Sequence, residues 1–125
     1  MILIDDVLRL HNASINDFGG SKGIRDLGLL ESAIARPFQT FSGEYLYITP
    51  IEMAAGLGES LIINHPFIDG NKRTGILCLL AFLLKFNLKL TADQDSTYNF
   101  TIQISTGEIK FEEIVIWLNN NTEAV

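Results

Sequence analysis

The stretch from Lys72 to Phe86, whose heart is Ile76-Leu77-Cys78-Leu79-Leu80-Ala81-Phe82-Leu83-Leu84, is apolar on almost every side of a helical wheel. No other feature constrains the fold as much. A surface helix needs one covered face, whereas a helix that is apolar all round must be enclosed by other elements. The run is too short for the roughly 20 residues of a membrane-spanning helix and is closed by Lys85, so no membrane is expected as a partner. It predicts a central helix, ended at Asn87 and ringed by others.

Periodic segments elsewhere supply the ring. Ile4, Val7, Leu8 and Ile15 recur near helical spacing behind Asp5 and Asp6, whose charge suits a helix start, and predict a first amphipathic helix. Gly19-Gly20-Ser21-Lys22-Gly23 breaks the pattern, because glycine disfavours a helix entropically, and reads as a mobile loop. Leu27, Leu30, Ala33 and Ile34 resume the stripe with Asp26 as N-cap and Pro37 as stop. Phe38 to Thr49 mixes aromatic and β-branched residues around Ser42-Gly43, which suits one hairpin or extended flap. Pro50 opens another helix with Ile51, Ala54, Ala55, Leu61 and Ile62 on its apolar face up to Asn64. Gly56 and Gly58 weaken it by about 1 kcal/mol each relative to alanine, which points to close approach of a neighbouring helix. Beyond the central helix come a short extended piece at Leu88 to Leu90, a helix from Ser96 to Ser105, a turn at Thr106-Gly107 and a last helix from Phe111 to Asn120 with Trp117 in the core. The expected fold class is all-α, a single helical bundle with a short extended flap or hairpin.

Composition narrows the partners. A 47% hydrophobic content suffices for a core in a chain of 125 residues without disulfides or a structural metal. A formal charge of -6 and a pI near 4.7 leave no basic footprint, so no nucleic acid is expected as a partner. The single cysteine, Cys78, lies in the apolar run, away from any disulfide or thiolate metal cluster, and fits a cytoplasmic setting. Met1-Ile2-Leu3-Ile4-Asp5-Asp6 carries two acids where a signal sequence is apolar, so export is not expected.

Chemistry concentrates in His65-Pro66-Phe67-Ile68-Asp69-Gly70-Asn71-Lys72-Arg73, which joins two strong helices. With Asn71 at or near the start of the second helix, the free N–H groups of its first turn face outward at the positive end of the helix dipole, where anions bind. Lys72 adds a point charge and Arg73 a planar fork for phosphate oxygens, while Gly70 lets a phosphate approach the backbone. Asp69 offers an oxygen ligand suited to Mg²⁺, which takes one or two carboxylates together with phosphates. His65 is the group able to accept a proton near neutral pH from an incoming hydroxyl. Phe67, alternating between His65 and Asp69, is expected to point the other way and anchor the loop. Neither a Walker-type loop nor a dinucleotide Gly-x-Gly-x-x-Gly is present to explain phosphate binding otherwise.

These residues resemble the Fic/Doc (Fido) family, whose motif runs His-x-Phe-x-Asp/Glu-Gly/Ala-Asn-Gly/Lys-Arg. His65, Phe67, Asp69, Gly70, Asn71, Lys72 and Arg73 fill its places. The likeness extends to Gly23-Ile24-Arg25-Asp26-Leu27-Gly28-Leu29-Leu30-Glu31-Ser32-Ala33, to Ala35-Arg36-Pro37 and to Thr106-Gly107-Glu108-Ile109, all typical of the Doc branch, and so covers nearly all of residues 1–125 as one domain. The resemblance implies that His65 deprotonates a target hydroxyl, that Asp69 holds Mg²⁺, and that Gly70, Asn71 and Arg73 bind the triphosphate of ATP. Two departures from the adenylylating branch matter: Lys72 replaces a glycine, and Ile76 stands where a second arginine would be.

Doc proteins share both departures, and the resemblance implies reversed ATP binding, so that the γ-phosphoryl group meets the nucleophile. The implied target is a threonine of translation elongation factor Tu, whose phosphorylation would block translation. The alternatives are AMP or other nucleotidyl transfer, and a non-catalytic partner-binding module. Many Fic proteins carry a self-inhibiting helix with the pattern Ser/Thr-x-x-x-Glu-Gly/Asn, which this chain lacks; restraint is then expected from an antitoxin in trans, laid as a helix into an apolar groove. Arg25, after the glycine-rich loop, is a possible accessory binding residue. His11 reads as surface or core filler with no role. Tyr45 and Tyr47 either align an extended target segment by strand addition or pack on the bundle.

Overall fold

The apolar run becomes helix α4 (Asn71–Lys85), and helix α3 (Pro50–Asn64) packs against it more extensively than any other element does. The structure, a computed structural model, describes residues 4–125; Met1, Ile2 and Leu3, which entered the reading of the chain start, lie outside the described residues. Around the central pair lie α1 (Ile4–Phe18), α2 (Leu27–Ala35), α5 (Gln94–Thr106) and α6 (Phe111–Asn120). The fold is mostly α, as expected. Strands β1 (Thr40–Phe41) and β2 (Glu44–Tyr45) form an antiparallel flap, and β3 (Leu88–Leu90) pairs antiparallel with β4 (Thr122–Ala124).

The core shows why α3 and α4 cross closely. Ala54, Ala55, Leu57, Leu61 and Ile62 of α3 meet Cys78, Leu79, Phe82 and Leu83 of α4 in one buried cluster, which Val7, Leu30, Phe100, Ile104, Ile114 and Leu118 extend to the other helices. A Cβ on Gly58 would stand 2.6 Å from Leu79 Cδ1, and one on Gly75 would collide with Ile62 Cγ1. The close approach expected at Gly58 is therefore real, whereas Gly56 faces the Arg36 side chain rather than a helix. The enclosure of α4 is incomplete: Leu84 is exposed at its C-terminal end, together with Phe86 just beyond it.

Local chemistry sets the boundaries. Asp26 caps α2 by accepting from the Leu29 N–H at 3.0 Å. Pro37 does not stop the chain abruptly but sits in a 3-10 turn, Arg36–Phe38, that follows α2 directly. Thr49 and Glu52 close a capping box at the start of α3, ahead of Pro50 at the first helical position. α5 begins before Ser96 because Asp93 caps it, accepting from the Ser96 N–H at 2.8 Å; that hydrogen bond holds its carboxyl below the usual range. In the flap, Ser42 and Gly43 both have positive φ (52° and 82°), the pattern of a type I′ hairpin turn. Strand β4 had no sequence signal. Its register, Leu88 opposite Ala124 and Leu90 opposite Thr122, is a long-range pairing that three polar or small residues do not announce.

Arg36 ties the flap to α3. Its guanidinium donates to Tyr47 Oη (3.1 Å), the Gly56 carbonyl (3.3 Å), Ser60 Oγ (3.0 Å) and Glu59 Oε1 (2.8 Å), and lies over the rings of Tyr47 and Phe111. Burial works against this charge, but the bonds to Tyr47 and Glu59 outweigh it and leave the group more firmly protonated than usual. Tyr47 is thereby turned onto the bundle, while Tyr45 and Phe41 stay exposed on the flap.

Candidate functional site

The loop between α3 and α4 begins at His65, which terminates α3 in the left-handed region (φ 50°, ψ 57°). A non-glycine residue there is uncommon and needs outside support. Arg25 supplies it: its Nε donates to the His65 carbonyl at 2.6 Å and its Nη2 to the Asn64 carbonyl at 2.8 Å. These are carbonyls that a helix end leaves without partners, and a cation there also suits the helix dipole. The His65 side chain itself is exposed.

The segment before α2 lies antiparallel to the loop. Ile24 bridges to Phe67, the Arg25 and Asp26 N–H groups both donate to the Pro66 carbonyl (2.7 and 3.0 Å), and the Ile68 N–H donates to the Gly23 carbonyl at 3.1 Å. Phe67 is buried, with 1% exposure, and both of its backbone polar groups are held by the Asn71 side chain. Asn71 Oδ1 accepts from the Phe67 N–H at 2.9 Å and Nδ2 donates to the Phe67 carbonyl at 3.0 Å. Asn71 thus turns its side chain inward, and what it offers a ligand is its backbone N–H.

Asp69 and Gly70 bring the chain into α4. Gly70, with φ 76°, is the N-cap, so α4 starts at Asn71 and its first turn presents backbone N–H groups with no partner inside the helix. The Asp69 carboxylate is exposed; Oδ1 accepts from the Gly70 N–H at 2.8 Å and Oδ2 from the Ser21 N–H at 3.1 Å. The glycine-rich loop reaches Asp69 because Gly20 (φ 119°) has no side chain: a Cβ there would stand 2.7 Å from Asp69 Oδ2. Arg73 lies with its guanidinium 4.4 Å from the centre of the Phe18 ring, and Lys72 is exposed without a hydrogen bond or ion pair to any described residue. His65, Asp69, Gly70, Asn71, Lys72 and Arg73 thus lie on one loop and the helix start that follows it, with Arg25 bonded to the backbone where that loop begins.

Three residues of α1 in this place were missed. His11, Ile15 and Phe18 follow one another along a single helix face, and each touches the loop or α4. His11 stacks on Phe67 and bonds the Asp69 carbonyl, the Ile15 Cδ1 atom stands 3.1 Å from where a Gly70 Cβ would be, and Phe18 carries Arg73. The signal was present in the four-residue spacing of Val7, His11 and Ile15, which puts a histidine in the middle of an apolar stripe. A cavity of about 140 Å³ lies elsewhere, lined by Arg36, Glu59, Ser60, Asn64, Gly107 and Lys110 among others, and residues 65–73 take no part in it.

The arrangement can hold an anion at the start of α4, with a proton acceptor at the end of α3 and a carboxylate on the loop that joins the two helices. Each Asp69 oxygen accepts one N–H and keeps lone-pair capacity outward, so the residue fits a magnesium ion that brings phosphates and water as its other ligands. Among the described residues no group of three histidine, cysteine or acidic side chains surrounds a common point, which is what a self-sufficient metal site would need.

The family model for Fic/DOC matches residues 2–83, a span that includes α1 to α3, the loop and α4 as far as Leu83. The chain belongs to the Fic/DOC family. Among its relatives, Toxin Doc of Mycolicibacterium smegmatis is 44% identical over 78 residues, 62% of this chain and 60% of that protein, so the match spans less than two thirds of the relative's length. Protein kinase doc of Escherichia phage P1 is 30% identical over 111 residues, 88% of this chain and 86% of its own. Both relatives carry the Doc name, which puts this Fic/DOC chain in the Doc branch. Every element that builds the loop lies inside the matched span.

Proposed function

We propose that this Fic/DOC protein is a Doc-like toxin that transfers the γ-phosphoryl group of ATP to a threonine or serine hydroxyl of a target protein. The observation that carries this reading is the start of α4, where Gly70 opens a helix whose first-turn amides, with Lys72 and Arg73, face outward next to His65 and Asp69. His65 takes the proton of the acceptor hydroxyl, whose oxygen bonds to the γ-phosphorus as ADP leaves with the bridging oxygen. The amides of Asn71, Lys72 and Arg73 and the Arg73 guanidinium bind the phosphates and take up charge that develops on them. Asp69 would hold Mg²⁺, which when bound neutralises phosphate charge. Arg25 acts at the edge of the site by holding the His65 carbonyl.

Phosphoryl rather than AMP transfer is favoured by position 76. Ile76 is half-buried and packed against the core, so α4 offers the phosphates one arginine fork, from Arg73, and not two. Elongation factor Tu is the target we propose on the strength of the Doc resemblance, with the exposed edge of the flap aligning an extended target segment. A cytoplasmic setting follows from that target. An antitoxin acting in trans is the partner we propose, supported by the name of the relative Toxin Doc.

The test is transfer from labelled ATP to purified elongation factor Tu in the presence of Mg²⁺. A γ-label should appear on the target and an α-label should not; an α-label alone would establish adenylylation instead. His65→Ala should lower the rate by about 10²- to 10⁴-fold, the usual worth of a positioned general base. Unchanged toxicity of that variant in cells would favour a non-catalytic binding module.

A further inference from the structure

We propose that His11 is a positioning residue of the loop, which fixes Asp69 and Phe67 through one directed N–H and one ring contact without touching a substrate. The proposal rests on the reading of the loop as the reaction site. His11 is 2% exposed on α1, far from the loop in sequence. Its ring stacks on Phe67 with centroids 3.8 Å apart and planes 6° from parallel, and its Nε2 lies 2.8 Å from the Asp69 carbonyl oxygen. A carbonyl only accepts, so Nε2 carries the proton, and the tautomer is set by the loop itself.

A mere core filler at this position would be a phenylalanine. It would stack on Phe67 equally well and would spare the cost of burying two ring nitrogens. What the histidine adds is a single hydrogen bond, directed at the backbone of the residue whose carboxylate faces the phosphate-binding turn. With the Asp69 carbonyl drawn inward to His11, the side chain leaves the backbone on the outward side, where the Gly70 and Ser21 N–H groups hold its two oxygens. Phe67 is fixed at the same time on three sides, by the His11 ring and by both ends of the Asn71 amide. Ile15 and Phe18, further along α1, extend the same support to Gly70 and Arg73.

The experiment compares His11→Phe, which keeps the ring and removes the donor, with His11→Gln, whose amide can donate again. Two readouts are used: kcat and KM for ATP in the transfer assay, and amide hydrogen exchange of the nucleotide-free protein. His11→Phe should lower kcat by about 10-fold, with KM for ATP shifted less than about threefold, and should speed exchange at Ser21 and Gly70 while α5 and α6 exchange at wild-type rates. His11→Gln should recover most of both losses. Wild-type kcat and exchange in His11→Phe, or acceleration spread evenly over α5 and α6, would overturn the proposal in favour of a packing role. If His11→Phe does not fold, His11→Gln decides alone: near-normal loop exchange supports the directed bond and fast exchange refutes it. If the wild-type protein transfers no phosphoryl group, the functional reading fails, yet the exchange comparison still tests His11.

Discussion

His65 occupies a backbone region that suits glycine, and the chain keeps a histidine there at a cost. Left-handed geometry at a non-glycine residue costs on the order of 1–3 kcal/mol, here offset by the two Arg25 bonds to the carbonyls of Asn64 and His65. Function and stability should therefore separate at this position. His65→Gly removes a steric conflict worth about 1–3 kcal/mol, less whatever the Arg25 bonds offset, while making the unfolded chain more flexible by about 0.5–1 kcal/mol, and the two effects oppose each other. We expect urea unfolding to show a stability between unchanged and about 1 kcal/mol higher, with transfer activity lost. A drop of more than about 1 kcal/mol would mean that the imidazole has a structural role. The identities of His65, Asp69 and Arg73 were readable from the motif, but the inward turn of Asn71 was not, because an amide beside a helix start is equally suited to a cap, a ligand or a backbone clamp.

At the level of elements, the seam between α3 and α4 decides how the loop is held, since both ends of the loop are ends of those helices. The sequence announced the seam in part. Gly58 stood out inside an apolar helical stripe, whereas Gly75 lay in an otherwise obvious helix and drew no notice, although a Cβ there would meet Ile62 and the Gly58 carbonyl. Propensity and packing predict opposite signs for Gly75→Ala. Alanine gains about 1 kcal/mol in a helix interior, but the new methyl must displace the branched Cγ1 of a fully buried isoleucine between two helices, and overpacking of this kind costs about 1–3 kcal/mol. Packing should win. We expect a net loss of up to about 2 kcal/mol in denaturant unfolding, together with a fall in activity as α4 shifts from α3; a stabilised variant would show that the seam is looser than these contacts indicate.

For the molecule as a whole, what could be read in advance was what is local or periodic: the helices, the flap with its Ser42-Gly43 turn, and the buried run of α4. What escaped is non-local. The pairing of β4 with β3 and the contact of His11 with Asp69 both join segments distant in sequence; the first leaves no mark in the spacing of nearby residues, and for the second the spacing of Val7, His11 and Ile15 shows that the histidine faces inward but not what it meets. Cys78 offers a probe of how far the enclosing bundle opens, because it lies at the centre of the assembly with 0% exposure. Burial, with a smaller push from the Asp6 carboxylate, raises its thiol to about 12. At pH 8 a free thiol near 8.5 is roughly one quarter thiolate, while one near 12 is thiolate at about 1 part in 10⁴. Ionisation alone should then slow reaction with a disulfide reagent by roughly 10³-fold, and the surrounding helices exclude the reagent as well. Labelling of the native protein should follow opening of the α3–α4 core, accelerate in step with denaturant, and show the same dependence as unfolding measured by circular dichroism. Rapid labelling in buffer at pH 8 would mean that α4 separates from its neighbours without global unfolding, and with it the turn that begins at Asn71.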